Sequence, residues 1–191
     1  MAWIQTFTGL RFELDAPTMD MICIDDIAHS LSMQCRFAGH TPRHYSIAEH
    51  SIHCMNMAIK EYPKDTSLHL ACLMHDAAEA YVLDVPKPMK PLLKEYDKLE
   101  ENIMNLIIQK YCLDFSNKRK IKEYDINALV TEKFEFFNNG TLALHWDTVI
   151  GGIVNVEMAK QMNVYEKLDS YHKDIKVEFL KKFVDVFYFN Q

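Results

Sequence analysis

The chain has 191 residues, 49% hydrophobic and 25% charged, with a formal net charge of −6. That is enough for a sizeable core in one domain spanning 1–191, and the composition excludes an extensively disordered chain. No basic stripe is present and no segment reaches the ~20 apolar residues of a membrane span, so neither a nucleic-acid polymer nor a membrane is an expected partner.

Residues 3–14 alternate, with Trp3, Gln5 and Phe7 before Thr8-Gly9 and Leu10, Phe12 and Leu14 after it, which predicts a short hairpin turning at Gly9. Residues 25–37 read as a helix capped by Asp25, with Ile27, Leu31 and Cys35 on one face, stopped by Gly39, Thr41 and Pro42. Ser46-Ile47-Ala48-Glu49 has the form of a capping box and opens a second helix that runs to about Tyr62 before Pro63. A third helix is predicted over 67–82, ahead of Val85-Pro86-Lys87-Pro88. Pro91 precedes a long helix to about Tyr111, with Leu92, Tyr96, Leu99, Ile103, Leu106 and Ile107 inward. Another covers about 118–137, ended by Asn138-Asn139-Gly140. Two more fill 153–165 and 170–188, the last with an apolar stripe of Ile175, Phe179, Phe183 and Val186. With 5 Gly, 6 Pro, no internal repeat and no linker, the expected fold is all-α: one helical bundle carrying a small N-terminal β-hairpin.

The cysteines, Cys23, Cys35, Cys54, Cys72 and Cys112, are odd in number and lack a C-x-x-C pair. They are expected to be reduced core thiols, not a zinc ribbon or a disulfide framework. The N-terminus lacks a basic segment followed by an apolar run, so a cytoplasmic protein is expected.

His75-Asp76 is the strongest chemical signal, placed within the apolar third helix. An ionised carboxylate there needs a partner. A satisfied core pair is the plain alternative, but Glu79 one turn on shares the face of His75 and weakens it. His50 lies one turn into the capped helix; His53, at i+3, reads as a histidine on the helix surface or behind the site. Asp125 shares the inward face of its helix with Ile121, Ala128 and Leu129, and a buried pair with a lysine is the alternative. Two His and two Asp from three helices make a plausible ligand set for one divalent transition metal: Mn, Co, Fe, Ni or Zn. Positions would remain for water and a phosphate oxygen.

The order His50, His75-Asp76, Asp125 resembles the H…HD…D signature of the HD-domain phosphohydrolases. Ile47-Ala48-Glu49-His50-Ser51, His75-Asp76-Ala77-Ala78-Glu79, Asp84-Val85-Pro86-Lys87-Pro88-Met89-Lys90 and Arg36-Phe37 are similar to segments of the small bacterial 5′-deoxynucleotidases and of phage dATP triphosphohydrolases. The resemblance covers roughly residues 25–135. It implies that Glu79 and Asp84 activate water and protonate the leaving oxygen, and that Arg36 and Lys90 contact phosphate, with Lys87 a looser candidate. Phe37 would stack on a base or sugar, or simply pack in the core; a tryptophan is common at this place in relatives. His40, Arg43 and His44 would line the pocket or sit on its loop. No GYP motif is present, which argues against a cyclic-dinucleotide phosphodiesterase. The activity implied is hydrolysis of deoxynucleoside 5′-monophosphates, acting on a small-molecule nucleotide. The alternatives are a deoxynucleoside triphosphate triphosphohydrolase, a (p)ppGpp hydrolase and a non-catalytic nucleotide-binding module. A homo-oligomer is implied as well.

Overall fold

The alternation near the N-terminus does produce a hairpin. In the computed structural model, which describes residues 2–137 and 172–189, β1 (Trp3–Gln5) pairs antiparallel with β2 (Arg11–Glu13), with Ile4 opposite Phe12. Gly9 turns the chain at a φ of +88°, a conformation side chains resist, and its N–H donates to the Thr6 carbonyl at 3.0 Å. Phe12 is fully buried and stacks on Tyr81 at 4.0 Å, so one ring pins the hairpin to the bundle.

Among the described residues the α-helices are α1 (Ile24–Met33), α2 (Ile47–Glu61), α3 (Thr66–Met74), the single turn α4 (Glu79–Val82), α5 (Tyr96–Tyr111), α6 (Lys118–Phe136) and α7 (His172–Phe189). The fold is thus all-α with a small hairpin, as the sequence predicts. α2 is its axis. From Ile47 to Ala58 every residue except Asn56 is buried, and the helix packs on α1, α3, α6 and α7. A helix covered on all sides belongs to a core. α7 closes the bundle against α1 and α3 through Ile175, Phe179 and Phe183, all buried, with Val186 partly so.

Three boundaries differ from the predicted ones, each for a local reason. α1 stops at Met33 because the next residues are engaged elsewhere: Cys35 bridges Ser46, the Arg36 N–H donates to the Tyr45 carbonyl at 2.9 Å, and the Gln34 carbonyl accepts from Ile47. Its cap position is Cys23, so Asp25 is a first-turn residue, paired with Lys176 at 2.7 Å. The predicted third helix breaks after Met74. His75 Nδ1 lies 2.8 Å from the carbonyl of Cys72, the group that a continuing helix would offer to the Asp76 N–H. Residues 75–78 follow in tighter i to i+3 turns. His75-Asp76 therefore ends a helix instead of lying within one. The long fourth helix starts at Tyr96; Lys90–Leu92 form a separate 3-10 turn around Pro91, and Leu92 is 78% exposed instead of inward.

All five thiols are free, but only Cys54 and Cys72 are core residues. Cys112 is exposed because it caps α5 in the left-handed conformation at the surface. The Asn138-Asn139-Gly140 stop and the 153–165 helix lie outside the described residues. Among those described, no helix is long and apolar enough to cross a membrane. Because Phe179 is fully buried where α7 meets the bundle, Phe179→Ala is expected to lower stability by about 3–5 kcal/mol, read by denaturant unfolding. An unchanged midpoint would mean that α7 contributes little to the core.

Candidate metal centre

The capping box forms at the start of α2: Ser46 Oγ accepts the Glu49 N–H at 3.1 Å, and Glu49 Oε2 accepts the Ser46 N–H at 2.8 Å. This locks the first turn, and His50 follows it, fully buried. His75 and Asp76 arrive from the end of α3, and Asp125 from α6. His50 Nε2 lies 3.3 Å from both His75 Nε2 and Asp125 Oδ1, and 3.7 Å from Asp76 Oδ2. His75 Nε2 lies 3.2 Å from Asp76 Oδ2 and 3.9 Å from Asp125 Oδ1. Ligands bound at metal–N and metal–O distances near 2.1 Å stand about 3–3.5 Å apart. Three of these separations lie in that range and two, at 3.7 and 3.9 Å, slightly exceed it, so the four groups stand close enough to converge on one divalent ion.

The outward faces of the two rings support that fit. A carbonyl can only accept, so His75 Nδ1 carries a hydrogen toward Cys72 and Nε2 faces the centre. His50 Nδ1 lies 2.5 Å from Oε1 of Glu132, which is fully buried. Burial opposes the Glu132 charge, but Arg36 and His50 outweigh it and hold its pKa down to about 2. Glu132 therefore accepts from Nδ1, and Nε2 of His50 also faces inward. Two imidazole Nε2 atoms and two carboxylates converging on one point require positive charge, whether a proton on His50 or a cation. Accordingly, burial and Arg36 lower the His50 pKa, yet Cys54, Glu132 and Asp125 raise it well above its ordinary value.

Cys54 offers a second donor set. Its Sγ is 3.7 Å from His50 Nε2, and donor atoms of His50, Cys54 and His75 lie within 4.8 Å of one another. Burial raises this thiol's pKa, whereas Asp76 and Asp125 are held below the usual carboxylate range because the histidines outweigh their burial. The two carboxylates are ready for an ion without losing a proton, whereas His50 would give one up. The thiol would have to lose one, which a softer ion such as Zn²⁺ favours. The lysine-pair alternative for Asp125 also holds in part, since Oδ2 pairs with Lys122 while Oδ1 faces His50.

Asp76 and Asp125 open onto a cavity of about 610 Å³, also lined by Arg36, Phe37, Glu79, Asp84 and Lys90. Thus the substrate and catalytic residues expected from sequence face the same space as the ion-fitting carboxylates. Glu79 is pushed well above the carboxylate range by burial and then by the charges of Asp76 and Asp84, with Arg36 opposing. Asp84 is raised too, by burial, with Arg36 again opposing. Leu83 turns the chain between them at φ +71°, ψ 154°, its carbonyl accepting from Tyr96. Gln34 braces this segment, donating to the Glu79 carbonyl at 2.9 Å and accepting from the Asp84 N–H at 3.1 Å.

Arg36 Nη2 is 3.3 Å from Glu132 and Nη1 is 3.7 Å from Asp76. Phe37 stands edge-on to Phe137 at 5.0 Å. Lys90 pairs with Glu100 at 2.9 Å. His40 and Lys87 line the cavity, while Arg43 turns to Glu49 at 2.8 Å and does not. His44 lies on its loop, with Nε2 3.3 Å from the Met33 carbonyl. A larger cavity, about 760 Å³, lies between the hairpin, α1 and α4 and holds none of the candidate ion ligands. Donor chemistry, not size, identifies the candidate site.

Glu132 is absent from the sequence reading. A signal existed: it follows Asp125 by seven residues, two turns of α6, and so shares its face. His53 is buried, not on the surface.

A family profile described as HD domain matches residues 30–182. The uncharacterized protein YfdR of Escherichia coli is 41% identical over 133 residues, covering 70% of this chain and 71% of that protein. An uncharacterized protein of Rhodobacter capsulatus is 33% identical over 132 residues, covering 65% and 67%.

His53 supplies a pH test of the site's surroundings. Burial lowers its pKa from 6.5 to about 4. A group depressed on folding contributes stability above its unfolded pKa and loses it as pH falls, here between 6.5 and 4. His53→Gln is expected to flatten the fall in Tm across that window. Parallel curves for variant and wild type would show that His53 titrates alike in both states.

Proposed function

The chain belongs to the HD-domain family, and on that premise we propose that it is a metal-dependent phosphohydrolase that converts deoxynucleoside 5′-monophosphates to deoxynucleoside and phosphate. One observation carries this reading: the ion-fitting carboxylates, Arg36 and two acids of raised pKa share a cavity of nucleotide size.

A divalent ion on His50, His75, Asp76 and Asp125 would polarise a phosphoryl oxygen and make water acidic enough to attack at neutral pH. Arg36 presents a guanidinium whose planar donors suit phosphate oxygens, and Lys90 adds a point charge. Glu79, the more strongly raised acid, is suited to hold the proton that the departing 5′-oxygen takes as its bond to phosphorus breaks. Asp84 is suited to accept the proton of the water whose oxygen bonds to phosphorus. The sum is one water consumed, with one nucleoside and one phosphate released. Phe37, Phe137, Ile126 and Leu129 give the cavity an apolar side for sugar and base. No Asn or Gln is among the described lining residues, which suits a site tolerant of the base.

Triphosphate release from a deoxynucleoside triphosphate is the second reading, because Lys87, Lys90 and Lys122 also line the cavity. The single phosphate is favoured because Lys122 pairs with Asp125 and Arg43 is turned to Glu49.

The test is incubation with Mn²⁺ or Co²⁺ and a panel of dNMPs, NMPs, dNTPs and (p)ppGpp, with products separated by chromatography. Phosphate from dNMPs is expected; triphosphate from a dNTP would establish the second reading. No product from a metal-loaded protein would point to a binding module. Asp76→Ala should lose metal and turnover with helical content retained, and unchanged turnover would sink the metal mechanism. Glu79→Gln should keep the metal and slow turnover by about 10² or more. Full activity would remove Glu79 from proton transfer.

A further inference from the structure

We propose that Glu132 is a positioning residue for the metal centre, holding His50 in the tautomer and orientation that present Nε2 to the ion. The inference rests on the reading of His50 as a ligand and goes beyond it by assigning a dedicated partner to that ligand.

Glu132 is fully buried on α6, two turns beyond Asp125. Burying a carboxylate is unfavourable, and replacing a buried ion pair by apolar side chains is often neutral or stabilising. Fold stability alone is therefore a weak reason for it to be there. Its contacts point to another. Oε1 accepts from His50 Nδ1 at 2.5 Å and from the Tyr45 hydroxyl at 3.0 Å, and Oε2 accepts from Arg36 Nη2 at 3.3 Å. The carboxylate thus has donors on both oxygens and little freedom to rotate. Tyr45 and Arg36 are themselves tied together through the Arg36 N–H and the Tyr45 carbonyl at 2.9 Å.

The two histidines differ in how they are held. His75 is oriented by the Cys72 backbone, which side-chain replacement cannot remove. His50 depends on a side chain. A carboxylate on the far nitrogen of a metal-bound imidazole fixes the ring and raises its basicity, and removing such a partner typically weakens metal binding 10- to 100-fold. Glu132→Gln keeps the shape, but an amide has one acceptor oxygen in place of two. At least one of the three donors then loses its partner.

The experiment is Co²⁺ titration of the full chain, wild type against Glu132→Gln, following visible absorption, with thermal unfolding and far-UV circular dichroism of the metal-free proteins. The expected result is Co²⁺ affinity about 10- to 100-fold weaker with an altered Co²⁺ spectrum and unchanged helical content. Equal affinity with the same spectrum would overturn the role of Glu132. A loss of affinity that merely follows a loss of helical content would also overturn it, in favour of a structural role. A wild-type chain that binds no Co²⁺ would fail earlier, at the reading of the centre itself. Should Glu132→Gln not fold, Tyr45→Phe loosens the same carboxylate without removing it. Weaker Co²⁺ binding at unchanged helical content then supports the proposal, and equal binding overturns it.

Discussion

Two imidazole Nε2 atoms 3.3 Å apart, with two carboxylates around them, repel one another unless a proton or a cation lies between. Such an arrangement cannot be maintained by the four groups themselves. It has to be imposed by the surrounding chain, and much of the bundle can be understood as the means of imposing it. α2 is covered along most of its length, its first turn is locked by a capping box, and α3 and α6 pack against it. Each ring nitrogen that faces away from the centre has its own acceptor.

The same centre sets its acids apart. Asp76 and Asp125 face the histidines and are held ionised. Glu79 and Asp84, on the next segment of chain, are raised by burial, and Glu79 feels both neighbouring carboxylates. Carboxylates of one cavity are thereby divided between binding a cation and holding a proton. That division is what hydrolysis of a phosphoester asks of a site whose water and leaving group differ in their need for a proton.

Much of this was legible in the sequence because it is local. The alternation around Gly9, the Ser46–Glu49 box and the stripe of Ile175, Phe179 and Phe183 each depend on residues a few positions apart. The order of His50, His75-Asp76 and Asp125 identified the family without any distances. What was not legible depends on partners remote in sequence. α1 ends early because Cys35 pairs with Ser46 across a loop, and Gln34 is drawn to the segment between Glu79 and Asp84. The break after Met74 comes from one side chain taking a backbone acceptor, which no periodicity reports. Glu132 carried a local signal, its two-turn spacing from Asp125. An acid on a long, charged helix, however, reads as solvated until Tyr45 and Arg36 are brought over it.

Leu83 has its own significance. Its backbone adopts φ +71°, ψ 154°, a region that is essentially glycine's, at a cost of about 1–3 kcal/mol, while its side chain is 64% exposed. Little packing explains a leucine at this position. The turn it makes delivers Asp84 to the cavity that Glu79 already lines. Here the demands of durability and of aim pull in opposite directions. Mutational drift or engineering that relaxes this residue would give a hardier protein whose second acid no longer points where the first one does.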